Sequence, residues 1–75
     1  MKLRQLKVDE TGTVTGYNRS DAIYRQKLLR MGLTRNVSFT VLRKAPLGGP
    51  IEIEVRGSRV VLRSDEADVL EVDRT

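Results

Sequence analysis

Residues 45–57 read Ala-Pro-Leu-Gly-Gly-Pro-Ile-Glu-Ile-Glu-Val-Arg-Gly, and this stretch decides much of the fold. Its first half is rich in proline and glycine, which is typical of a turn whose shape is fixed by its residues. Its second half alternates apolar and charged residues, so Ile51, Ile53 and Val55 share one face of an extended chain. The sequence therefore predicts a stiff loop that leads directly into a half-buried strand.

The residues before this loop have the same period of two. Val37, Phe39 and Val41 alternate with more polar neighbours. Two alternating segments joined by a Pro/Gly loop predict an antiparallel hairpin. Further along the chain, residues 59–63 and 69–72 predict two more strands.

Three further segments are short and carry weaker patterns. Residues 13–17 are rich in β-prone side chains and predict the first strand, with Gly16 marking either a bulge or a close backbone approach. Leu3, Leu6 and Val8 predict an entry segment that packs on the core. Residues 64–67 predict a single helical turn, with Ser64 as its N-cap.

One α-helix is predicted at residues 21–31. Tyr24, Leu28 and Met31 recur at i, i+4 and i+7, and Ile23 is expected beside them on the same apolar face.

The ends of this helix are also predicted from residue type. Ser20 or Asp21 can cap its first turn by accepting from free N–H groups. Gly32 can adopt the left-handed conformation that ends a helix.

These elements together predict an all-β fold: a small barrel of about five strands, with one α-helix inserted between the first and second strands. The helix is expected to cover an open end or edge. We expect a single domain over residues 1–75. The predicted core is Val14, Phe39, Val41, Ile51, Ile53, Val55 and Leu62.

The composition limits the chemistry of the chain. It has 75 residues, a net charge of +4, no Cys and no His. The absence of Cys fits a reducing compartment, and neither a membrane span nor a signal peptide is predicted, so we expect a cytoplasmic location. The positive charge favours anionic partners.

No catalytic site or cofactor site is predicted. Without His or Cys, no serine has a credible base, and the Gly48-Gly49 pair lacks the Lys-Ser/Thr of a phosphate-binding loop. Glu52 and Glu54 could form a carboxylate pair, but we expect a solvated strand face paired to basic residues. Only carboxylates could bind a metal, so no tight metal site is expected.

Nucleic-acid binding is the generic alternative, because small barrels bind single strands by stacking bases on aromatic side chains. Phe39 and Tyr24 are expected to face the core, so Tyr17 is the one plausible stacking platform.

Several segments, in order, resemble the FeoA family, the small cytoplasmic component of bacterial ferrous-iron uptake. Residues 24–33 resemble its R-x-x-L-x-x-x-G-L helix, and residues 45–51 resemble its A-P-L-G-D-P-I/V loop. Arg56-Gly57, Leu62-Arg63 and Glu66-Ala67 resemble its R-G…L-R…E-A ending. The chain departs from the family at Arg35-Asn36, where Pro-Gly is common, and at Gly49, where Asp is common.

The resemblance implies an SH3-like β-barrel with a helical insertion. It also implies a non-enzymatic accessory module that regulates or assembles FeoB, a membrane transporter with a cytoplasmic GTPase domain. Contact with the membrane is then expected only through the transporter. The family is often associated with transition-metal binding, which the residues alone do not predict.

Two surfaces are the predicted contact sites. One is the helix flank of Arg25, Lys27 and Arg30, and the other is the loop tip of Leu47 and Gly48. Leu47 has two alternatives: it is displayed to a partner, or it folds back to close the barrel. Self-association through an edge strand or this loop is also possible.

Overall fold

The five strands form one antiparallel sheet in the order β4-β3-β2-β1-β5. The computed structural model describes residues 1–18 and 22–75. The strands are β1 (Thr11–Tyr17), β2 (Ser38–Lys44), β3 (Ile51–Val55), β4 (Ser58–Leu62) and β5 (Leu70–Arg74). A 3₁₀ turn (Leu3–Gln5) precedes them, α1 (Ala22–Arg30) lies between β1 and β2, and α2 (Ser64–Val69) lies between β4 and β5. The predicted five strands with one α-helix between the first two are confirmed.

The hairpin of β2 and β3 has the register that the alternation requires. Phe39 lies opposite Val55 and Val41 lies opposite Ile53, so the apolar residues of both strands meet on one face. The register shifts between Val41 and Arg43, where a bulge bends the strand next to the loop. A similar shift in β1, between Val14 and Gly16, confirms the predicted irregularity there.

One hydrophobic core lies inside the bent sheet. All seven residues predicted for it are buried, and α1 adds Leu28, which is fully buried. The N-terminal 3₁₀ turn adds Leu3 and Leu6. Tyr24 and Met31 are partly buried and pack against the same cluster, as the helical spacing predicts.

Two apolar residues predicted to pack are instead exposed. Ile23 is 78% exposed. It lies five positions before Leu28, which at 3.6 residues per turn places it about 140° away from the buried face. Val8 is 47% exposed because it lies in a turn that follows the buried Leu6. Both predictions were wrong.

The end of α1 follows its sequence signal. Gly32 has φ +90°, and the Leu33 N–H donates to the Leu28 carbonyl at 3.0 Å, which closes the last turn. The predicted N-cap, Ser20 or Asp21, lies outside the described residues.

The start of α2 differs from the prediction. Ser64 is the first helical residue and Arg63, with extended backbone, holds the N-cap position. The Glu66 carboxylate accepts from the Arg63 N–H at 2.9 Å, so a carboxylate three residues into the helix satisfies this end. Ser64 is therefore not the cap.

We expect truncation inside the barrel to dominate stability. Ile53 is fully buried, so Ile53→Ala should lower the free energy of unfolding by about 2–5 kcal/mol through lost burial and the cavity it leaves. Val61 on the neighbouring strand is 57% exposed, and Val61→Ala should change it by less than about 0.5 kcal/mol. Urea unfolding followed by circular dichroism measures both, and equal losses would contradict this assignment of the core.

Candidate functional site

The loop between β2 and β3, residues 45–50, is closed by two backbone hydrogen bonds. The Ala45 N–H donates to the Pro50 carbonyl at 2.9 Å, and the Gly49 N–H donates to the Pro46 carbonyl at 3.2 Å. Positive φ at both central residues of such a turn is the pattern of type I′. The residues between Pro46 and Gly49 fit that pattern, since their φ values are +59° and +72°.

Leu47 is the first of these central residues, and its side chain is fully exposed. The alternative in which Leu47 closes the end of the barrel is therefore wrong. Two features of this residue are unfavourable in the isolated protein. A left-handed backbone costs a residue with a Cβ atom about 1–2 kcal/mol, and an exposed leucine gains nothing from burial.

The base of the loop is tightly packed. A Cβ atom built on Gly49 would lie 2.7 Å from the Ala45 Cβ and 3.2 Å from the Pro46 carbonyl oxygen. Glycine at this position therefore lets the two arms of the loop approach each other closely. An Asp at this position would therefore require the loop to shift.

A shallow groove of about 390 Å³ runs beside the loop. Its lining combines apolar surface with basic side chains: Arg43, Lys44, Ala45, Pro46, Pro50, Glu52 and Val61. Lys44 is held in place, because its ammonium donates to the carbonyls of Arg4 and Leu6 at 2.7 and 3.0 Å. Val61, which was not among the predicted contact residues, is half exposed next to the loop. Its neighbour Leu62 is buried, and because successive side chains of a strand point to opposite faces, this would have predicted that Val61 faces outward.

The predicted helix flank is divided between the fold and the solvent. Lys27 forms an ion pair with Glu66 of α2, whose side chain is 4% exposed. One turn earlier, the Tyr24 hydroxyl donates to Asp65 at 2.5 Å. Lys27 therefore joins α1 to α2, whereas Arg25 and Arg30 are exposed.

These contacts shift the pKa values of both carboxyl groups. Burial raises the pKa of Glu66, but hydrogen bonds from Lys27 and from the Arg63 N–H outweigh it and hold the pKa below its ordinary value. The hydrogen bond from Tyr24 lowers the pKa of Asp65. Both groups are therefore carboxylates at neutral pH.

The helix flank and the loop tip belong to different parts of the chain. The end of α1 leads into the start of β2, and the loop follows the end of β2. Residues 31–37 and the seven residues of β2, which span about 20 Å, separate Arg30 from the loop along the chain.

The remaining charged candidates are Glu52 and Glu54, which lie on the outer face of β3. Glu52 lies 3.7 Å from Arg59 on β4, which confirms the predicted pairing for this residue, whereas Glu54 forms no ion pair within residues 1–18 and 22–75. Across residues 1–18 and 22–75 there is no group of three or more His, Cys, Asp or Glu residues placed to hold a metal ion. Nor does any helix in those residues have the length and apolar character needed to cross a membrane.

Tyr17 is not available as a stacking platform. Its ring packs against the core, and its hydroxyl donates to the Leu33 carbonyl at 2.5 Å. Burial raises the pKa of Tyr17, partly offset by the charges of Arg35 and Arg25. The nucleic-acid alternative depended on an exposed Tyr17 ring, and this ring instead packs in the fold.

Comparison with known proteins gives a consistent result. Residues 1–74 match the FeoA domain. The solution structure of the FeoA protein from Chlorobium tepidum is 36% identical, with TM-score 0.86 over 99% of this chain and 70% of that chain. A FeoA-like protein from Clostridium acetobutylicum is 28% identical, with TM-score 0.87 over 99% and 85% of the two chains.

A third similar structure has a description of its role. The Stenotrophomonas maltophilia FeoA, crystallised with zinc, is 25% identical, with TM-score 0.83 over 97% of this chain and 89% of that one. It is described as an SH3 domain protein and as a candidate activating factor for bacterial ferrous iron transport. The SH3-like fold predicted for the present chain agrees with these comparisons.

We expect the backbone of the loop to be strained at its tip. Leu47→Gly should raise the free energy of unfolding by up to about 1 kcal/mol, because glycine adopts positive φ without a Cβ penalty. Leu47→Ala keeps the Cβ atom and removes only exposed carbons, so it should change stability by less than about 0.5 kcal/mol. Chemical denaturation of the two variants separates these effects, and a large loss in Leu47→Ala would mean that the side chain is packed.

The ion pair between α1 and α2 should make stability depend on pH. Lys27→Met should lower the free energy of unfolding by about 1–3 kcal/mol at pH 7, because a buried carboxylate loses a charged hydrogen-bond donor. The folded pKa of Glu66 is lowered, so its contribution is present above the unfolded pKa of about 4.3 and is lost as pH falls through the folded pKa. The penalty should therefore be smaller at pH 3 than at pH 7.

Thermal unfolding at pH 7 and at pH 3 measures this difference. Lys7→Met is the matched control, since Lys7 is exposed and no carboxylate of the described residues pairs with its ammonium. The control should be neutral at both pH values. A Lys27→Met penalty that is the same at both would show that the ion pair is not its cause.

Proposed function

This chain belongs to the FeoA family, and on that premise we propose that it is an accessory protein of ferrous-iron uptake that binds the cytoplasmic GTPase domain of a FeoB-type membrane transporter. In this role it regulates or assembles the transporter and has no catalytic activity of its own. The ferrous ion is the cargo of the transporter in this proposal, and no iron site is assigned to the chain. The protein would act in the cytoplasm and meet the membrane through its partner.

The exposed Leu47 is the observation that carries this proposal. Its backbone has φ +59° and its side chain is fully exposed, so the isolated protein gains nothing from a leucine there. Strained, exposed residues that the fold does not need are typical of contact sites. Burying one leucine in a partner would supply about 1.5–3 kcal/mol, which is enough for a binding hot spot.

The groove beside the loop suits a protein partner. Pro46, Pro50 and Val61 offer apolar surface, and Arg43 offers a charge at the rim. An apolar centre with a polar rim is the usual anatomy of a protein interface. A loop whose base is tightly packed also loses little conformational entropy on binding.

The helix flank is proposed as a secondary contact. Arg25 and Arg30 are exposed there, whereas Lys27 is engaged by Glu66. Exposed charges of this kind change association rate and orientation more than affinity. We therefore assign affinity to the loop and orientation to the helix.

Binding to the transporter should depend on the Leu47 side chain. We expect Leu47→Ala to weaken binding to the isolated cytoplasmic GTPase domain by about tenfold or more, which corresponds to about 1.4 kcal/mol. Val8→Ala is the matched control, because Val8 is an exposed aliphatic residue outside the loop, and it should bind like the natural chain. Isothermal titration calorimetry gives the affinities, and GTP turnover by the full-length transporter in proteoliposomes reports the functional effect.

Two results would count against this proposal. If the natural chain neither binds the GTPase domain nor changes GTP turnover of the full transporter at high concentration, the partner is wrong. If Leu47→Ala and Val8→Ala bind equally well, the partner stands and the loop is not the contact.

A further inference from the structure

The two edges of the sheet differ in how the fold covers them. β5 forms one edge, and the N-terminus covers it: the Met1 amine donates to the Val72 carbonyl at 3.1 Å, and the Val72 N–H donates to the Met1 carbonyl at 2.9 Å. β4 forms the other edge, and within residues 1–18 and 22–75 its backbone is bonded to β3 alone. An open edge strand presents unpaired N–H and C=O groups to which a further strand can bind.

We propose that the open edge of β4 binds β4 of a second copy of this chain. A two-fold axis perpendicular to the sheet makes the two strands antiparallel and keeps their inner faces on the same side. Val60 of each copy then lies opposite Val60 of the other. This contact goes beyond the proposed function and does not depend on it.

The turn between β3 and β4 determines which backbone groups of β4 face the edge. Residues 56–57 have φ values of +51° and +80°, so this is a two-residue turn of type I′, and β4 begins directly after it at Ser58. The residues that flank such a turn share two hydrogen bonds, and bonded pairs alternate with unbonded pairs along the hairpin. Val60 is therefore bonded to β3, whereas the N–H and C=O groups of Arg59 and Val61 point outward.

Charge selects one register for the two strands. The outward groups of both copies meet when the two-fold axis passes beside residue 59, 60 or 61. An axis at residue 59 places Arg59 opposite itself, and an axis at residue 61 places it opposite the exposed Arg63. Like charges directly opposite each other are destabilising. An axis at residue 60 places each Arg59 opposite a Val61, and the strands then share four backbone hydrogen bonds.

Both faces of the joined strands gain apolar contact in this register. Val60 is half-buried and packs against the core, and the second copy's Val60 covers its open side. Val61 is 57% exposed on the outer face. The aliphatic stem of the second copy's Arg59 lies across it, because the two residues are directly opposite.

The charges around Arg59 favour a second copy over an acidic segment of another protein. The Arg59 guanidinium lies 3.7 Å from the Glu52 carboxylate, and Arg59 is the register partner of Glu54 on β3. Arg59 thus already has carboxylates on one side, and a further carboxylate at the edge would be repelled by them. The β4 strand of a second copy brings the uncharged Val61 to this position instead.

Single-cysteine variants report the register, because the chain has no cysteine of its own. Under mild oxidation Val60→Cys should form a disulfide-linked dimer, since the Cβ atoms of directly opposite residues lie close enough for such a bond. Arg59→Cys and Val61→Cys should link at least about tenfold more slowly, because neither residue lies opposite itself. Val8→Cys, an exposed site outside the sheet, gives the rate of random collision. Non-reducing electrophoresis measures all four rates.

Proline at the edge tests the hydrogen bonds. Sedimentation of the natural chain between about 20 μM and about 1 mM should show a monomer–dimer equilibrium. Val61→Pro removes an N–H that faces away from β3, so the barrel should stay folded by circular dichroism. The dimer should weaken by about a hundredfold, because each copy loses one hydrogen bond. Leu47→Ala should dimerise like the natural chain, which separates this contact from the loop.

A second variant leaves the backbone intact. Val61→Lys places a positive charge opposite the second copy's Arg59 and should weaken the dimer by about tenfold or more. Val8→Lys is the matched control, since it adds the same charge outside β4 and should weaken the dimer by less than about twofold.

Three results would overturn the proposal. One is a natural chain that stays monomeric at about 1 mM. Another is a disulfide that forms fastest in Arg59→Cys, Val61→Cys or Val8→Cys, and the third is a dimer that Val61→Lys leaves intact. If the chain is monomeric and the amide signals of Arg59 and Val61 shift only when the GTPase domain is added, the edge takes a strand of that partner and not a second copy.

Discussion

The pairing of β2 with β3 is the constraint on which the rest of the structure depends. Side chains in a strand point alternately to opposite faces, so a slip of one residue in this pair would expose Ile51, Ile53 and Val55 together. The same register places Arg43 opposite Glu52 and Lys44 opposite Ile51, next to the loop. The hairpin therefore sets both the interior of the barrel and the chemistry of its outer face.

Several contacts between distant parts of the chain complete this small core. The N-terminal amine donates to the Val72 carbonyl at 3.1 Å, and Arg4 pairs with Asp68 at 2.9 Å. These contacts hold the first residues against α2 and β5, where Leu3 and Leu6 are fully buried. A chain of this size without disulfides depends on such long-range packing, because its own interior is small.

The sequence predicted the strands correctly where the spacing of apolar residues alone decides which side chains are buried. The period of two predicted β2 and β3 and the inward face of each, because a strand has only two faces. The prediction for Ile23 was wrong because it relied on residue type, which suggested burial. Whether Ile23 is buried depends instead on its angle from Leu28 around the helix. The contact of Lys27 with Glu66 could not be predicted either, because it depends on how two separate helices pack. The composition of the loop predicted a stiff turn at Leu47. The direction of the Leu47 side chain could not be predicted, because it depends on a positive φ that leucine rarely adopts.

The pairing of β1 with β5 has a consequence for synthesis in the cell. Gly12 lies opposite Arg74, so the first strand meets this partner only when almost the whole domain has been made. At about 5–20 residues per second, a ribosome needs several seconds to reach that point. Throughout this interval β1 lacks one neighbour, and Val14 lacks the Val72 that will lie opposite it. Co-translational folding of this barrel is therefore completed only after β5 has been synthesised, and the nascent chain carries an unpaired strand until then.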